Sequence, residues 1–117
     1  MGLYENLPVF KASYDLLLNI YQFTGKFTRE YKYTLGEKIK NETLELMVLV
    51  YRANSTKNKV EILQKAREQI ELIRLMLRLV KDLKQISIKS FVRINQQVEN
   101  VSKCIVSAKS ELFTSQI

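Results

Sequence analysis

The stretch FVRINQQVENVSKCIVSAKSEL, residues 91–112, decides the fold class. Phe91, Ile94, Val98, Val101, Ile105, Ala108 and Leu112 recur at alternating spacings of 3 and 4. That is the narrow apolar seam of a helix packed along one edge against its neighbours. Arg93, Gln96, Gln97, Glu99, Asn100 and Lys103 fall off the seam and are expected to face water. Ser87 is placed to cap this helix, which is predicted from Ile88 to about Lys109 with a frayed tail beyond.

Three further helices precede it. The first is predicted over residues 8–24, with Pro8 in its first turn, Asn6 or Leu7 just outside, and Gly25 as a left-handed stop. Its apolar residues include Phe10, Tyr14, Leu17, Ile20 and Tyr21, while Lys11, Asp15, Asn19 and Gln22 share a polar side. A connection around 26–33 follows, and its Phe27, Tyr31 and Tyr33, beside Arg29 and Lys32, could close a bundle end or stack on bases. Thr34 and Glu37 stand at capping-box spacing before a helix over 35–53. Asn54, Ser55 and Thr56 end it, and Asn58 with Glu61 repeats the capping spacing before a helix over 59–85. Long helices joined by short connections place neighbours antiparallel. The expected fold is therefore all-α, one domain over 1–117, an up-down-up-down four-helix bundle.

Composition agrees with this and excludes much else. Three Gly and one Pro in 117 residues leave little material for the tight turns of a sandwich or barrel. There is no His and a single Cys, which removes His-based acid–base catalysis, Ser-His-Asp and Cys-His sites, His or multi-Cys zinc sites and any internal disulfide. Cys104 beside the seam reads as a small packed thiol. Neither a phosphate-binding Gly-rich loop nor a calcium loop occurs. No apolar run is long enough to span a membrane, and no signal peptide opens the chain. The expectation is a soluble, cytoplasmic, non-enzymatic protein with no cofactor and no metal.

The charge is lopsided. The net charge is +7, and residues 57–117 hold twelve basic against six acidic residues, whereas residues 1–56 hold seven against six. Arg67, Arg74, Arg78 and Lys81 are spaced 7, 4 and 3, so they share one side of the third predicted helix, with Lys84 following. Such a row matches the reach and bidentate needs of a phosphate backbone. The other meaning is a solvated face with local ion pairs, Glu71 with Arg67 or Arg74 and Arg78 with Asp82.

The second and third predicted helices are also unusually apolar. Around Arg74–Gln85 the apolar residues spread over about 200° of the helix, wider than the about 100–150° that a solitary bundle needs. In the helix over 35–53 Leu44, Leu46, Met47, Val48, Leu49, Val50 and Tyr51 leave only Asn41, Glu45 and Arg52 on a narrow polar strip. A surplus of this kind asks for self-association. The residues expected at that contact are Leu46, Met47, Val50, Leu75, Met76 and Leu79.

These residues carry a resemblance. The stretch LPVFKASYDLLLNIYQFTGKFTREYKYTLGEKIKNETLELMVLVYRANS at 7–55 and the RxxIExxRLMLRLVKDLKQIS run at 67–87 resemble a four-helix-bundle family. That family includes the accessory variability determinant (Avd) proteins of diversity-generating retroelements and the 23S ribosomal RNA intervening-sequence proteins. The most specific segments are REYKYTLGEK at 29–38, YRAN at 51–54 and RLVKDLKQIS at 78–87, and they favour the Avd branch. The resemblance implies a homopentameric ring, encoded by a bacterium or phage, that partners a reverse transcriptase and binds RNA or DNA without catalysis of its own. Arg74, Arg78, Lys81 and Lys84 carry over as members of the matching basic segment. The alternative is a structural or protein-interaction bundle of the intervening-sequence type, whose charge is incidental.

Overall fold

The computed structural model of the chain describes residues 7–115, and the side chains of 7–108. Four long helices, α1 (Pro8–Thr24), α3 (Leu35–Ser55), α4 (Lys59–Asp82) and α5 (Ile88–Ser115), form the bundle, with a single-turn α2 (Arg29–Lys32) between α1 and α3. No strand occurs among the described residues. Each long helix packs on two others, α1 on α3 and α5, α4 on α3 and α5, which makes the bundle an antiparallel up-down-up-down square.

The core rows follow the 3–4 periodicity of each helix. On α3, Ile39, Leu46, Val50 and Ala53 are buried, with the Thr43 hydroxyl in the same row donating to the Ile39 carbonyl at 2.7 Å. On α4 the row is Ile62, Ala66, Ile70, Ile73, Leu77 and Val80. On α5, Ile94, Val98, Val101 and Ile105 are buried, and Phe91, Cys104 and Ala108 pack partly against them. The Leu112 side chain lies outside the described residues. Leu16 and Ile20 complete the centre from α1.

Several helix ends depart from expectation. Pro8 does open α1, with Leu7 as its extended N-cap. Gly25, however, is right-handed (φ −61°, ψ −21°), and α1 stops through a turn in which Lys26 N–H donates to Phe23 O and Phe27 N–H to Thr24 O. Neither expected capping box forms: the Thr34 hydroxyl donates to Glu30 O of α2, Glu37 pairs with Lys40 at 3.1 Å, and Asn58 makes no side-chain cap. Ser87 does cap α5, its Oγ accepting from Ser90 N–H at 3.1 Å. α4 ends at Asp82 rather than Gln85 because Lys84 takes a left-handed conformation (φ 60°), which lets Gln85 N–H reach back to Val80 O at 3.1 Å. Such a reversal satisfies terminal carbonyls and ordinarily falls to glycine. α5 continues past Lys109 to Ser115.

One bundle end is closed by the α1–α3 connection. Phe27 is buried and meets Phe23 edge-on at 5.5 Å, and Tyr31 packs partly on the core. Gly36 is buried beneath this closure, where a Cβ would come into van der Waals contact with Phe27 and Tyr31 O at 3.4 Å. Thr28 also donates to Gln85 Oε1 through its N–H (2.8 Å) and its hydroxyl (3.1 Å), tying this connection to the end of α4.

Candidate nucleic-acid interface

α4 is the helix that carries both expected surfaces. Its α3 flank is marked by Gln69, whose amide donates to Glu42 O at 2.7 Å, and its α5 flank by Arg74, which donates to Glu99. About 100° per residue then places Arg67, Arg78 and Lys81 on the α5 side and Leu72 and Leu79 toward α3, with Leu75 pointing straight outward.

The basic side lies along a hollow between α4 and α5 of about 330 Å³, walled by Glu71, Arg74, Leu75, Arg78, Lys81, Phe91 and Asn95. Its cations are not equivalent. Arg74 is bound to Glu99 across the helix pair and to Glu71 at 3.4 Å, and its buried Nε–H has no acceptor among the described residues. Lys81 lies 5.1 Å from the centre of the Phe91 ring and 4.0 Å from Asp82. Arg67 and Arg78 are exposed and make no ion pair among the described residues. The local pairs anticipated from spacing are thus partly realised: Glu71 chooses Arg74, and Asp82 approaches Lys81 rather than Arg78. Lys84 is exposed beyond the end of the helix. Lys81 over Phe91 presents a cation and an aromatic ring together, and an unpaired guanidinium stands beside them, a combination suited to a sugar–phosphate chain.

The residues expected at a subunit contact divide. Leu75 (64%) and Leu79 (47%) are exposed, but Leu46 (0%), Val50 (3%) and Met76 (7%) belong to the chain's own core, and Met47 is half-buried. The surplus apolar surface is instead carried by a second row on each helix. On α3 it is Leu44, Val48 and Tyr51, and on α4 it is Leu72, Leu75 and Leu79. α1 contributes a third row: Tyr14, Leu18 and Tyr21 are exposed at the same spacing. The α1 and α3 rows flank one seam, where Lys40 lies 5.2 Å from the Tyr21 ring. Asn41, Glu45 and Arg52, all exposed, separate this patch from the leucines of α4.

α1 also meets α5 through polar groups. Asn19 donates to Gln97 Oε1 at 2.7 Å, so the Asn19 side of α1 and part of the supposedly solvated face of α5 form an interhelical groove. Among the described residues no cluster of His, Cys, Asp and Glu could hold a metal ion, and no helix is long and apolar enough to cross a membrane.

Comparison with curated proteins gives no match. Residues 9–112 match the family described as bAvd-like, a span that takes in the core rows, both apolar patches and the basic side of α4. With that match over nearly all of its bundle, the chain belongs to the bAvd-like family.

Proposed function

We propose that the chain is a non-catalytic accessory protein of a diversity-generating retroelement, assembling as a homopentameric ring and binding the reverse transcriptase and RNA or DNA through the α4–α5 basic side. The observation that carries this reading is the division of α4, with exposed leucines on one flank and, on the other, exposed Arg67 and Arg78 that make no ion pair among the described residues. Two unlike apolar patches on one chain, separated by a polar strip, favour head-to-tail contact, which closes into a ring. Repetition around a ring would multiply the field of a modest basic stripe.

The test has two arms. Light scattering at micromolar concentration should give five chains per particle. Binding of an RNA–DNA hybrid duplex should weaken steeply with salt, and Arg78→Gln with Lys81→Gln should flatten the slope of log K against log salt by nearly 2, at about 0.9 per phosphate contact. A monomer with no salt-sensitive binding would overturn the proposal. It would favour the second reading, a protein-interaction bundle of the ribosomal intervening-sequence type. The pairing of Arg74 with Glu71 and Glu99 speaks for that reading, because it removes one cation from the stripe.

A further inference from the structure

The groove between α1 and α5 lies on a different side of the bundle from the basic stripe. It consists of two adjoining hollows of about 280 and 260 Å³ that share Asn19, Gln22 and Arg93. The first also takes in Phe23, Lys26 and Ser90. The second extends along the helices to Gln97 and to Asp15, its one acidic residue. From Asp15 to Phe23 the groove follows α1 for about 12 Å at the helical rise of about 1.5 Å per residue, and Lys26 stands just beyond the helix end.

Its chemistry is specific. Arg93 and Lys26 are exposed, and neither makes an ion pair or side-chain hydrogen bond among the described residues. Asn19 and Gln97 spend one donor and one acceptor on each other. Whichever way the two amides are oriented, a carbonyl oxygen and an NH₂ group remain, an adjacent acceptor and donor. That pair complements the edge of a nucleobase, which presents a donor and an acceptor side by side. Gln22 adds a third amide without a hydrogen bond among the described residues, and the partly buried Phe23 supplies an apolar wall. Asn19 and Gln97, half-buried between two helices, cannot reach base edges inside a duplex. They can reach unpaired bases, while Lys26 at one end and Arg93 where the two hollows meet, both without an ion pair among the described residues, match the accompanying phosphates.

We infer that the α1–α5 groove binds single-stranded nucleic acid, reading unpaired bases through Asn19, Gln22 and Gln97 and holding phosphate through Lys26 and Arg93. This rests on the proposed nucleic-acid role and adds to it a second site, distinct from the α4–α5 side. The two sites divide the labour, duplex backbone on one and unpaired bases on the other.

The experiment measures anisotropy of a labelled twelve-nucleotide single strand and of the corresponding duplex with the full chain, each across a salt series. Lys26→Gln with Arg93→Gln should weaken the single strand at least tenfold and flatten its salt slope by about 1.4, at about 0.7 per contact. Its effect on the duplex should stay within twofold. Asn19→Ala should weaken the single strand about threefold to tenfold with the slope unchanged, the mark of a base contact rather than a charge. Circular dichroism establishes that each variant is folded. Equal weakening of strand and duplex, no weakening of either, or displacement of the strand by nucleoside monophosphate at equal nucleotide concentration would overturn the groove assignment. If duplex binding depends on Arg78 and Lys81 while the groove variants bind strand normally, the groove assignment alone fails. If the unaltered chain binds neither nucleic acid, the proposed function fails with it.

Discussion

Arg74 on α4 donates to Glu99 on α5 while Glu71, one turn away on its own helix, lies 3.4 Å from the same guanidinium. The middle of the basic stripe is therefore a tie between two helices, and its charge is opposed by two carboxylates. Arg67 and Arg78 on either side remain free for a partner among the described residues.

Glu99→Gln should accordingly release positive potential into the α4–α5 hollow. Affinity for duplex nucleic acid at low salt should rise about twofold to fivefold, with the salt slope steepening by up to about 0.9. Stability should change by no more than about 1 kcal/mol, since both partners are partly solvated. Unchanged affinity in an anisotropy titration would mean that the hollow does not face the nucleic acid.

Lys84 is the one described non-glycine residue with positive φ, at the place where a glycine ordinarily ends a helix. Lys84→Gly should stabilise the chain by about 0.5–1 kcal/mol, the relief of left-handed strain less the added freedom of the unfolded state. Urea unfolding measures this directly. A decrease in stability would show that the lysine side chain holds something that its backbone strain conceals.

The two rows on α3 and α4 make separable predictions. Leu75→Asp with Leu79→Asp should leave the helical spectrum intact and lower the particle mass in light scattering, because both side chains are exposed. Leu46→Ala should do the reverse, costing about 2–5 kcal/mol as a core cavity opens while the surviving folded fraction keeps its subunit number. If the leucine variants unfold the chain and Leu46→Ala disperses the particles, the assignment of the rows is inverted.

Gln85 accepts twice from Thr28 and donates to Leu83 O at 3.0 Å, joining two connections at one bundle end. Gln85→Ala should cost about 1 kcal/mol and speed hydrogen exchange at the Thr28 amide selectively. Uniformly faster exchange along α1 would indicate a wider role for the clip.

The fold was legible wherever the 3–4 spacing was unambiguous. The α5 seam needed only its own residues, and Pro8 marked its helix because the missing N–H suits a first turn. Ser87 did cap α5, but the capping box at Thr34 failed because its hydroxyl found a nearer acceptor in Glu30 O, a contact that exists only once α2 has formed. The apolar excess of α3 and α4 was visible, but its division was not. Two interleaved rows, 39–43–46–50–53 and 44–48–51, obey the same spacing, and only the positions of α1 and α4 decide which turns inward. The α1–α5 groove escaped for a related reason. Asn19 and Gln97 each look like solvent-facing residues on their own helix, and what joins them is a hydrogen bond across 78 residues of chain.

Leu75 belongs to two surfaces at once, the leucine row of α4 and the wall of the hollow that holds Arg78. A body settling on that row would necessarily reshape the place where Arg78 meets solvent. Linked equilibria are reciprocal, so a polyelectrolyte gripping the arginine would move the concentration at which copies of the chain associate by the same factor by which association moves its own affinity. Under the proposed function, cargo loading and particle size would then be a single thermodynamic variable, adjustable at one leucine.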